Sequence, residues 1–201
     1  MPRPKTHDDA LRARLLVRAG ELLSAEGPGA LSLRRLAADV NTSTTAVYSL
    51  FGGKPALLNT LYEEAFHRFG ERLAEVPLTD DPVEDLVQLG LGYRRGALAE
   101  PRFYLVMYSK SVPGFEPSAE VFATSCATFA PLLERVLRAL EAGLFEGEPT
   151  AEVAARLAVG LWGSVHGLLT LELNGNLPTT LDVDAIYEGA LRALTGGWRR
   201  R

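Results

Sequence analysis

The chain has 201 residues, of which 47% are hydrophobic and 23% are charged. This composition is typical of a globular protein with a large apolar core, and it excludes disordered, collagen-like and disulfide-stapled chains. The single cysteine, Cys126, cannot form an internal disulfide, which favours a reducing cytoplasm. We expect no signal peptide, because the N-terminus lacks an apolar stretch followed by a small-residue cleavage site.

The charged residues are unevenly distributed. The formal net charge of -4 by itself disfavours a polyanionic partner. Residues 1–60, however, contain eight basic and five acidic side chains, a balance of +3, whereas the remaining residues contain thirteen and twenty, a balance of −7. A basic front and an acidic rear predict two regions with different partners.

Apolar residues recur with helical spacing along the chain, and no period-2 alternation indicates a strand, so the sequence predicts an all-α fold. The first helix is expected to begin near Thr6. Ser32 is predicted to cap a short second helix, a third short helix is expected to start near Ser43, and Lys54-Pro55 is expected to begin a longer fourth helix. Breaks between these helices are predicted at Gly27–Gly29, Asn41, Gly52–Gly53 and Val76–Asp81.

The rear part of the chain predicts further helices, which start near Asp81, Pro101, Ala119, Thr150 and Asp182. Ser111 to Ser118 is expected to form a loop. Pro131, inside the helical stretch from Ala119 to Leu144, either kinks one helix or separates two. The charge-free stretch from Leu157 to Leu171 is too short to cross a bilayer, so it predicts a buried helix and no membrane partner.

The segment from Leu31 to Leu58 contains two short amphipathic helices joined by a brief turn, an arrangement that allows the second helix to enter a DNA major groove. The outward hydroxyl groups of this helix suit base edges or phosphates, and its methyl groups suit a thymine methyl; the residues concerned are Thr44, Thr45, Ala46 and Ser49. Tyr48 and Lys54 suit phosphate oxygens. Taken singly, Tyr48 is equally compatible with half-buried packing, and Lys54 with a solvated surface charge.

The motif A-V-Y-x-x-F-x-x-K-x-x-L, from Ala46 to Leu57, resembles the tetracycline-repressor (TetR) family of bacterial transcriptional regulators. The resemblance implies an N-terminal three-helix helix-turn-helix domain over residues 1–53, or about 8–68 with the connecting helix, followed by a helical-bundle domain over 54–201. It also implies operator DNA contacts at Ser32, Arg34, Thr44, Thr45, Tyr48, Ser49 and Lys54. Asn41 stands where the family usually has glycine, but asparagine tolerates the left-handed conformation of such a turn.

The segment from Trp162 to Gly167 resembles the Trp-x-x-x-His-Gly signature of one TetR subgroup, which implies a helical regulatory domain that dimerises and holds a small effector. Glycines inside a helix are costly and indicate that another backbone approaches closely. The approaching partner is the helix after Asp182, its counterpart in a second subunit, or both. The expected dimer interface consists of Gly160, Gly163, Gly167, Tyr187 and Leu191.

A pocket for the effector is expected where bulky apolar side chains meet a few polar groups. The predicted lining residues are Tyr93, Phe103, Tyr104, Met107, Phe122, Phe129, Trp162 and His166. Each aromatic residue is also compatible with ordinary core packing, and His166 with a core histidine that bonds to backbone carbonyls.

We expect no enzymatic activity, metal or cofactor, because the three histidines are scattered and the sequence has no H-E-x-x-H or G-x-S-x-G motif. The sequence therefore predicts a cytoplasmic bacterial homodimer that represses transcription at a palindromic double-stranded operator until a small apolar effector releases it. The alternative is an all-α dimer that binds or converts a small molecule without binding DNA.

Overall fold

The structure, a computed structural model, describes residues 5–108 and 115–200, and the side chains from residue 8 onward. Within these residues the chain is helical, and its only β-type pairing is an isolated antiparallel bridge between Phe145 and Arg199. The all-α prediction is thereby confirmed. The described helices are α1 (Lys5–Glu26), α2 (Leu33–Asp39), α3 (Thr44–Phe51), α4 (Lys54–Ala74), α5 (Pro82–Ala99), α6 (Pro101–Tyr108), α7 (Ala119–Ala127), α8 (Ala130–Glu141), α9 (Ala151–Leu173) and α10 (Val183–Gly197).

The helices form two compact units. The first unit contains the described residues up to Arg68 and those of the segment Glu100–Ser125, and the second contains Phe69–Ala99 and the described residues from Cys126 onward. The boundary therefore falls inside α4. The expected division into a DNA-binding part and a sensing part at residue 53 is a functional one and stays a prediction.

In the first unit, α1 packs against α2 and α6, and α2 packs against α3. The core between these helices contains side chains with no exposed surface, among them Leu15, Leu22, Leu36 and Val47. These residues lie on the faces that helical spacing assigned to the interior. The tri-helical arrangement of α1 to α3 therefore follows directly from the apolar pattern of the sequence.

Serine side chains cap the starts of α2 and α3. The Ser32 hydroxyl accepts a hydrogen bond from the Arg35 amide at 3.2 Å, which confirms the predicted N-cap, and the Ser43 hydroxyl accepts one from the Ala46 amide at 3.1 Å. Asn41 has a φ of 56°, in the left-handed region. The turn therefore keeps the backbone conformation that glycine usually provides.

In the second unit, α5, α8, α9 and α10 pack against one another. Gly90 is the point of closest approach between α5 and α10, because a Cβ atom on Gly90 would lie 2.5 Å from Cδ2 of Leu191. Leu191 and Tyr187 are almost completely inaccessible there, with 1% and 0% of their surface exposed. α10 thus contributes its apolar stripe to the core of this unit.

Pro131 separates two helices rather than kinking one, because α7 ends at Ala127 and α8 begins at Ala130, which places the proline in the first turn of α8. The missing amide hydrogen of proline costs nothing at that position. Of the loop expected from Ser111 to Ser118, residues 115–118 are irregular and residues 111–114 lie outside the described residues.

α9 is less buried than the sequence predicts. It is long and apolar enough to cross a membrane by length and composition, yet only 28% of its most apolar window is buried. Its buried stripe packs within the bundle and consists of Ala154, Ala158, Leu161, Val165 and Leu169. One face of α9 is therefore core, and the opposite face is uncovered in the single chain.

Candidate nucleic-acid interface and ligand site

One face of α3 is buried and the opposite face is open. Val47 and Phe51 point into the first unit, and successive residues of an α-helix are rotated by about 100°. This rotation places Thr45 and Ser49 at the centre of the outward face, with Ala46 on one side and Tyr48 on the other. Tyr48 has 57% of its surface exposed, so it is not packed into the core.

The end of α3 brings Tyr48 close to the start of α4. Gly52 caps α3 in the left-handed conformation, with a φ of 77°, and its amide donates to the Tyr48 carbonyl at 2.8 Å. A Cβ atom on Gly53 would lie 4.0 Å from Cε1 of the Tyr48 ring. The ring therefore lies beside the residue that precedes Lys54. A phenol and an ammonium group near each other at a helix start suit phosphate oxygens.

Ion pairs compensate some of the cations near α3 but not all of them. Arg18 pairs with Asp39 at 2.7 Å, and Arg35 pairs with Glu26 at 2.7 Å. The hydrogen bond from Arg35 lowers the pKa of the Glu26 carboxyl. Arg34 and Lys54, in contrast, make no ion pair with any residue that the structure describes. The carboxylates of this region are thus held by other arginines, and the charges of Arg34 and Lys54 remain available to a polyanion.

The predicted DNA-contact residues all lie in the first unit, and each is exposed or partly exposed. The structure places them on α3 and at the starts of α2 and α4, in the order Ser32, Arg34, Thr44, Thr45, Ala46, Tyr48, Ser49 and Lys54. Ser43 was expected only to mark the start of α3. It is also exposed at the N-terminus of α3, and its Ser-x-x spacing to Ala46 was the available signal.

Part of the predicted ligand pocket forms a connected cluster in the second unit. The Trp162 Nε1–H group donates to the Tyr93 hydroxyl at 3.3 Å, and this hydroxyl lies 3.3 Å from Nδ1 of His166. Phe129 packs edge-on against Trp162 with 5.7 Å between the ring centroids. Trp162, His166 and Phe129 are only partly buried, so they form a surface on which an apolar ligand can pack.

The protonation state of His166 follows from this cluster. Burial lowers the pKa of the imidazole, which favours the neutral form. The tryptophan is only a donor, so the Tyr93 oxygen accepts from it, and the same hydroxyl lies within hydrogen-bond distance of Nδ1 of His166. A neutral His166 is compatible with this contact.

The other predicted pocket residues belong to the first unit. Phe103, Tyr104 and Met107 are buried on α6. Phe122, on α7, has 62% of its surface exposed. The role of these four residues in an effector pocket stays a prediction.

The predicted dimer interface divides into open glycines and buried core residues. Cβ atoms on Gly163 and Gly167 would meet nothing within 4 Å, whereas one on Gly160 would lie 3.4 Å from Cζ2 of Trp198. No backbone of the same chain therefore fills the space beside Gly163 and Gly167. Tyr187 and Leu191 are buried inside one chain, so the structure corrects their assignment to an exposed interface.

Among the described residues, no group of three His, Cys, Asp or Glu side chains is arranged to hold a metal ion. The exposed surfaces that remain as candidate sites are the outward face of α3, the aromatic cluster around Trp162 and the open face of α9.

Comparison with known families matches both parts of the chain. The family of bacterial regulatory proteins described as the tetR family matches residues 15–61. The family described as the tetracyclin repressor-like, C-terminal domain matches residues 86–194, more than half of the chain. No curated protein matches the sequence.

Solved structures share the whole fold. A protein of unknown function from Rhodococcus sp. RHA1 is 28% identical, with a TM-score of 0.79 over 94% of this chain and 96% of that one. A TetR family transcription regulator from Marinobacter aquaeolei VT8 is 18% identical, with a TM-score of 0.72 over 98% and 100% of the two chains. The TetR family transcriptional regulator PfmR from Thermus thermophilus is 19% identical, with a TM-score of 0.70 over 93% and 100%.

Proposed function

Because the chain belongs to the tetR family of bacterial regulatory proteins and is a DNA-binding transcription regulator, we propose that it acts as a homodimeric repressor whose α3 enters the DNA major groove. A major groove about 12 Å wide admits one helix. The observation that carries this proposal is the exposed, uncharged outward face of α3, with Arg34 on α2 and Lys54 at the start of α4 making no ion pair to the residues that the structure describes. The neutral face suits the bases, and the two cations suit the phosphates on either side.

The open face of α9 supports dimerisation through a second copy of this chain. Val159 and Leu171 are 53% and 42% exposed there, on the same helix as the open Gly163 and Gly167. The exposed positions of α10 include small residues spaced three or four apart, namely Ala185, Gly189, Ala193 and Gly196. Small side chains allow helices to approach closely, and covering the aliphatic groups removes them from water. A two-fold dimer presents two α3 helices to half-sites about one DNA turn apart.

A small apolar effector is proposed to bind at the aromatic cluster of the second unit. Partly exposed Phe129 and Trp162 offer ring surface, and Tyr93 and His166 offer polar groups in a fixed arrangement. An effector releases operator DNA only if it binds more tightly to a dimer conformation whose half-site spacing no longer fits. The coupling is reciprocal, so operator DNA must weaken effector binding by the same factor.

The proposed site of action is the bacterial cytoplasm, and no catalytic step is proposed. A DNA-bound dimer represses transcription if its site overlaps the site of RNA polymerase, because the two proteins then compete for the same DNA. The alternative of an all-α dimer that does not bind DNA is set aside, because the family matches cover the helix-turn-helix segment itself.

Titration with DNA at several salt concentrations tests the proposal. The probes are a duplex from the DNA that flanks the protein's own gene and a random duplex of the same length. We expect tighter binding to the flanking duplex and an affinity that falls linearly with salt on a log–log plot. Equal affinity for both duplexes would contradict the proposal.

Lys54→Gln and Arg95→Gln form a matched pair for this titration, because each removes one positive charge and Arg95 is exposed on α5, away from the DNA-contact residues and the open face of α9. Each lost phosphate contact lowers the salt slope by about 0.9, so Lys54→Gln lowers it by about 1.8 in a dimer. Arg95→Gln leaves the slope unchanged. The same loss in both variants would mean that net charge, and not a Lys54 contact, determines binding.

A further inference from the structure

α3 lacks the side chains that normally distinguish guanine, adenine and cytosine. Its sequence is TTAVYSLF, which contains no arginine, lysine, asparagine, glutamine, aspartate or glutamate. Paired hydrogen bonds to guanine require arginine or lysine, those to adenine require asparagine or glutamine, and cytosine is read by an acidic side chain. A serine or threonine hydroxyl bonds to more than one base and discriminates weakly. Hydrogen bonding from α3 is therefore a poor source of sequence specificity.

The outward face of α3 is instead rich in methyl groups. Thr45 lies near the centre of this face, opposite the buried Val47 and Phe51, and Ala46 is its neighbour on one side. Both residues belong to the first turn, and the N-terminal residues of a recognition helix are those that reach base edges. Thymine is the only standard DNA base with a methyl group in the major groove, and small apolar groups such as those of alanine and threonine contact it.

We propose that α3 recognises thymine methyl groups through Thr45 and Ala46, and that this contact supplies the main direct sequence discrimination of the helix. The inference rests on the proposed function, because it requires α3 to lie in the major groove. Arg34 and Lys54 lie on α2 and at the start of α4 rather than on α3, and we assign their charges to the phosphates. The preferred half-site contains thymine at the positions opposite the first turn of α3.

Each methyl contact makes a modest contribution to the binding affinity. Removing one methyl group from an apolar contact weakens binding about fourfold, which corresponds to about 0.8 kcal/mol per buried CH₂ group. A paired hydrogen bond to guanine is worth about 5-fold to 160-fold. The two kinds of recognition can therefore be told apart by chemically altered bases.

The experiment uses the full chain and duplexes that it selects from a random pool. In the selected half-site, each thymine is replaced in turn by deoxyuridine, which lacks only the methyl group, and each guanine by 7-deazaguanine, which lacks only the N7 acceptor. We expect about a fourfold loss of affinity at one or two thymines of each half-site. We expect no comparable loss at any guanine opposite α3.

Three variants assign the contact to a side chain. Thr45→Val keeps the methyl group and removes the hydroxyl, so it retains the preference for thymine over deoxyuridine. Thr45→Ser removes the methyl group and keeps the hydroxyl, so at the thymine that Thr45 contacts it binds both duplexes about equally, and about fourfold more weakly than the unchanged chain binds thymine. Thr60→Ser, at a partly exposed position of α4 outside the DNA-contact residues, leaves the ratio of the two affinities unchanged.

Two results overturn the inference in different ways. If deoxyuridine has no effect and 7-deazaguanine lowers the affinity, α3 reads guanine and only the methyl contact is wrong. If the pool yields no duplex that binds more tightly than random DNA, the proposed function fails and the inference fails with it. A thymine preference that survives in Thr45→Ser and is lost in Thr45→Val assigns recognition to the hydroxyl and also overturns the inference.

Discussion

α3 and α9 both bury one face in their own unit and leave the opposite face uncovered, but the two uncovered faces differ in chemistry. On α3 the open face carries the hydroxyl and phenol groups of Thr45, Ser49 and Tyr48. On α9 it carries glycines with free space beside them, together with the exposed aliphatic side chain of Val159. Hydroxyl groups remain solvated when the face is open, whereas exposed valine and helical glycine gain only when something covers them.

This difference indicates two kinds of partner. A hydrated, charged groove suits the face of α3, and the apolar surface of a second copy suits the face of α9. It also explains why the net charge of -4 is a poor guide to the binding of DNA. What matters locally is that the carboxylates near α3 are held by Arg18 and Arg35, while Arg34 and Lys54 keep their charges for the phosphates.

Gly163→Leu tests whether the open face of α9 binds a second copy, and it has the largest expected effect. A Cβ atom at position 163 would meet no described atom within 4 Å, and leucine is preferred over glycine in a helix by about 1 kcal/mol. The folded monomer is therefore at least as stable as before, while a second copy can no longer approach. Losing one of two half-sites removes roughly half of an operator binding free energy of about 11–15 kcal/mol.

Analytical ultracentrifugation and operator titration measure the two consequences of Gly163→Leu. We expect a monomer with a retained helical spectrum and an operator affinity near that for random DNA. Glu141→Leu is the control, since it places the same side chain at an exposed position of α8. A dimeric Gly163→Leu chain with normal operator affinity would exclude the open face of α9 as the interface.

Two substitutions on α3 separate its buried and open faces. Phe51→Ala empties a buried position and is expected to lower the free energy of unfolding by about 3–5 kcal/mol. Tyr48→Ala changes an exposed side chain, so the free energy of unfolding should stay within about 0.5 kcal/mol while DNA affinity falls. Denaturant unfolding and operator titration check the two quantities. A large stability loss in Tyr48→Ala would show that its ring serves packing rather than phosphate contact.

The helix-turn-helix was predictable from sequence because its determinants are local. The Ser32 and Ser43 caps, the left-handed Asn41 and the buried Val47 all depend on neighbours within a few residues. The predicted DNA-contact residues follow from the same local periodicity. Their exposure is observed, and their contact with DNA stays a prediction.

The rest of the molecule depends on contacts between distant segments, which spacing does not encode. Tyr187 and Leu191 have the same helical spacing whether they cover another helix of their chain or a second chain, and the structure shows the first. Phe122 was assigned to a pocket because it is aromatic, but its place on α7 leaves it exposed. The glycines of α9 predicted that another backbone approaches this helix closely. Among the described residues of the same chain, a close neighbour is present only at Gly160, and it is the side-chain ring of Trp198.

His166 provides the smallest effect, a pH dependence of stability that involves neither α3 nor the open face of α9. Burial lowers the pKa of its imidazole below the ordinary value of 6.5. Between the two pKa values the unfolded chain binds more protons than the folded chain, so stability is complete above about pH 6.5 and falls as the pH decreases. Protonation also removes the Nδ1 acceptor of the Tyr93 hydroxyl.

We therefore expect the melting temperature to fall less between pH 7.5 and about pH 5.5 in His166→Gln than in the unchanged chain. Identical pH profiles for His166→Gln and the unchanged chain would show that other groups cause the acid-side loss of stability.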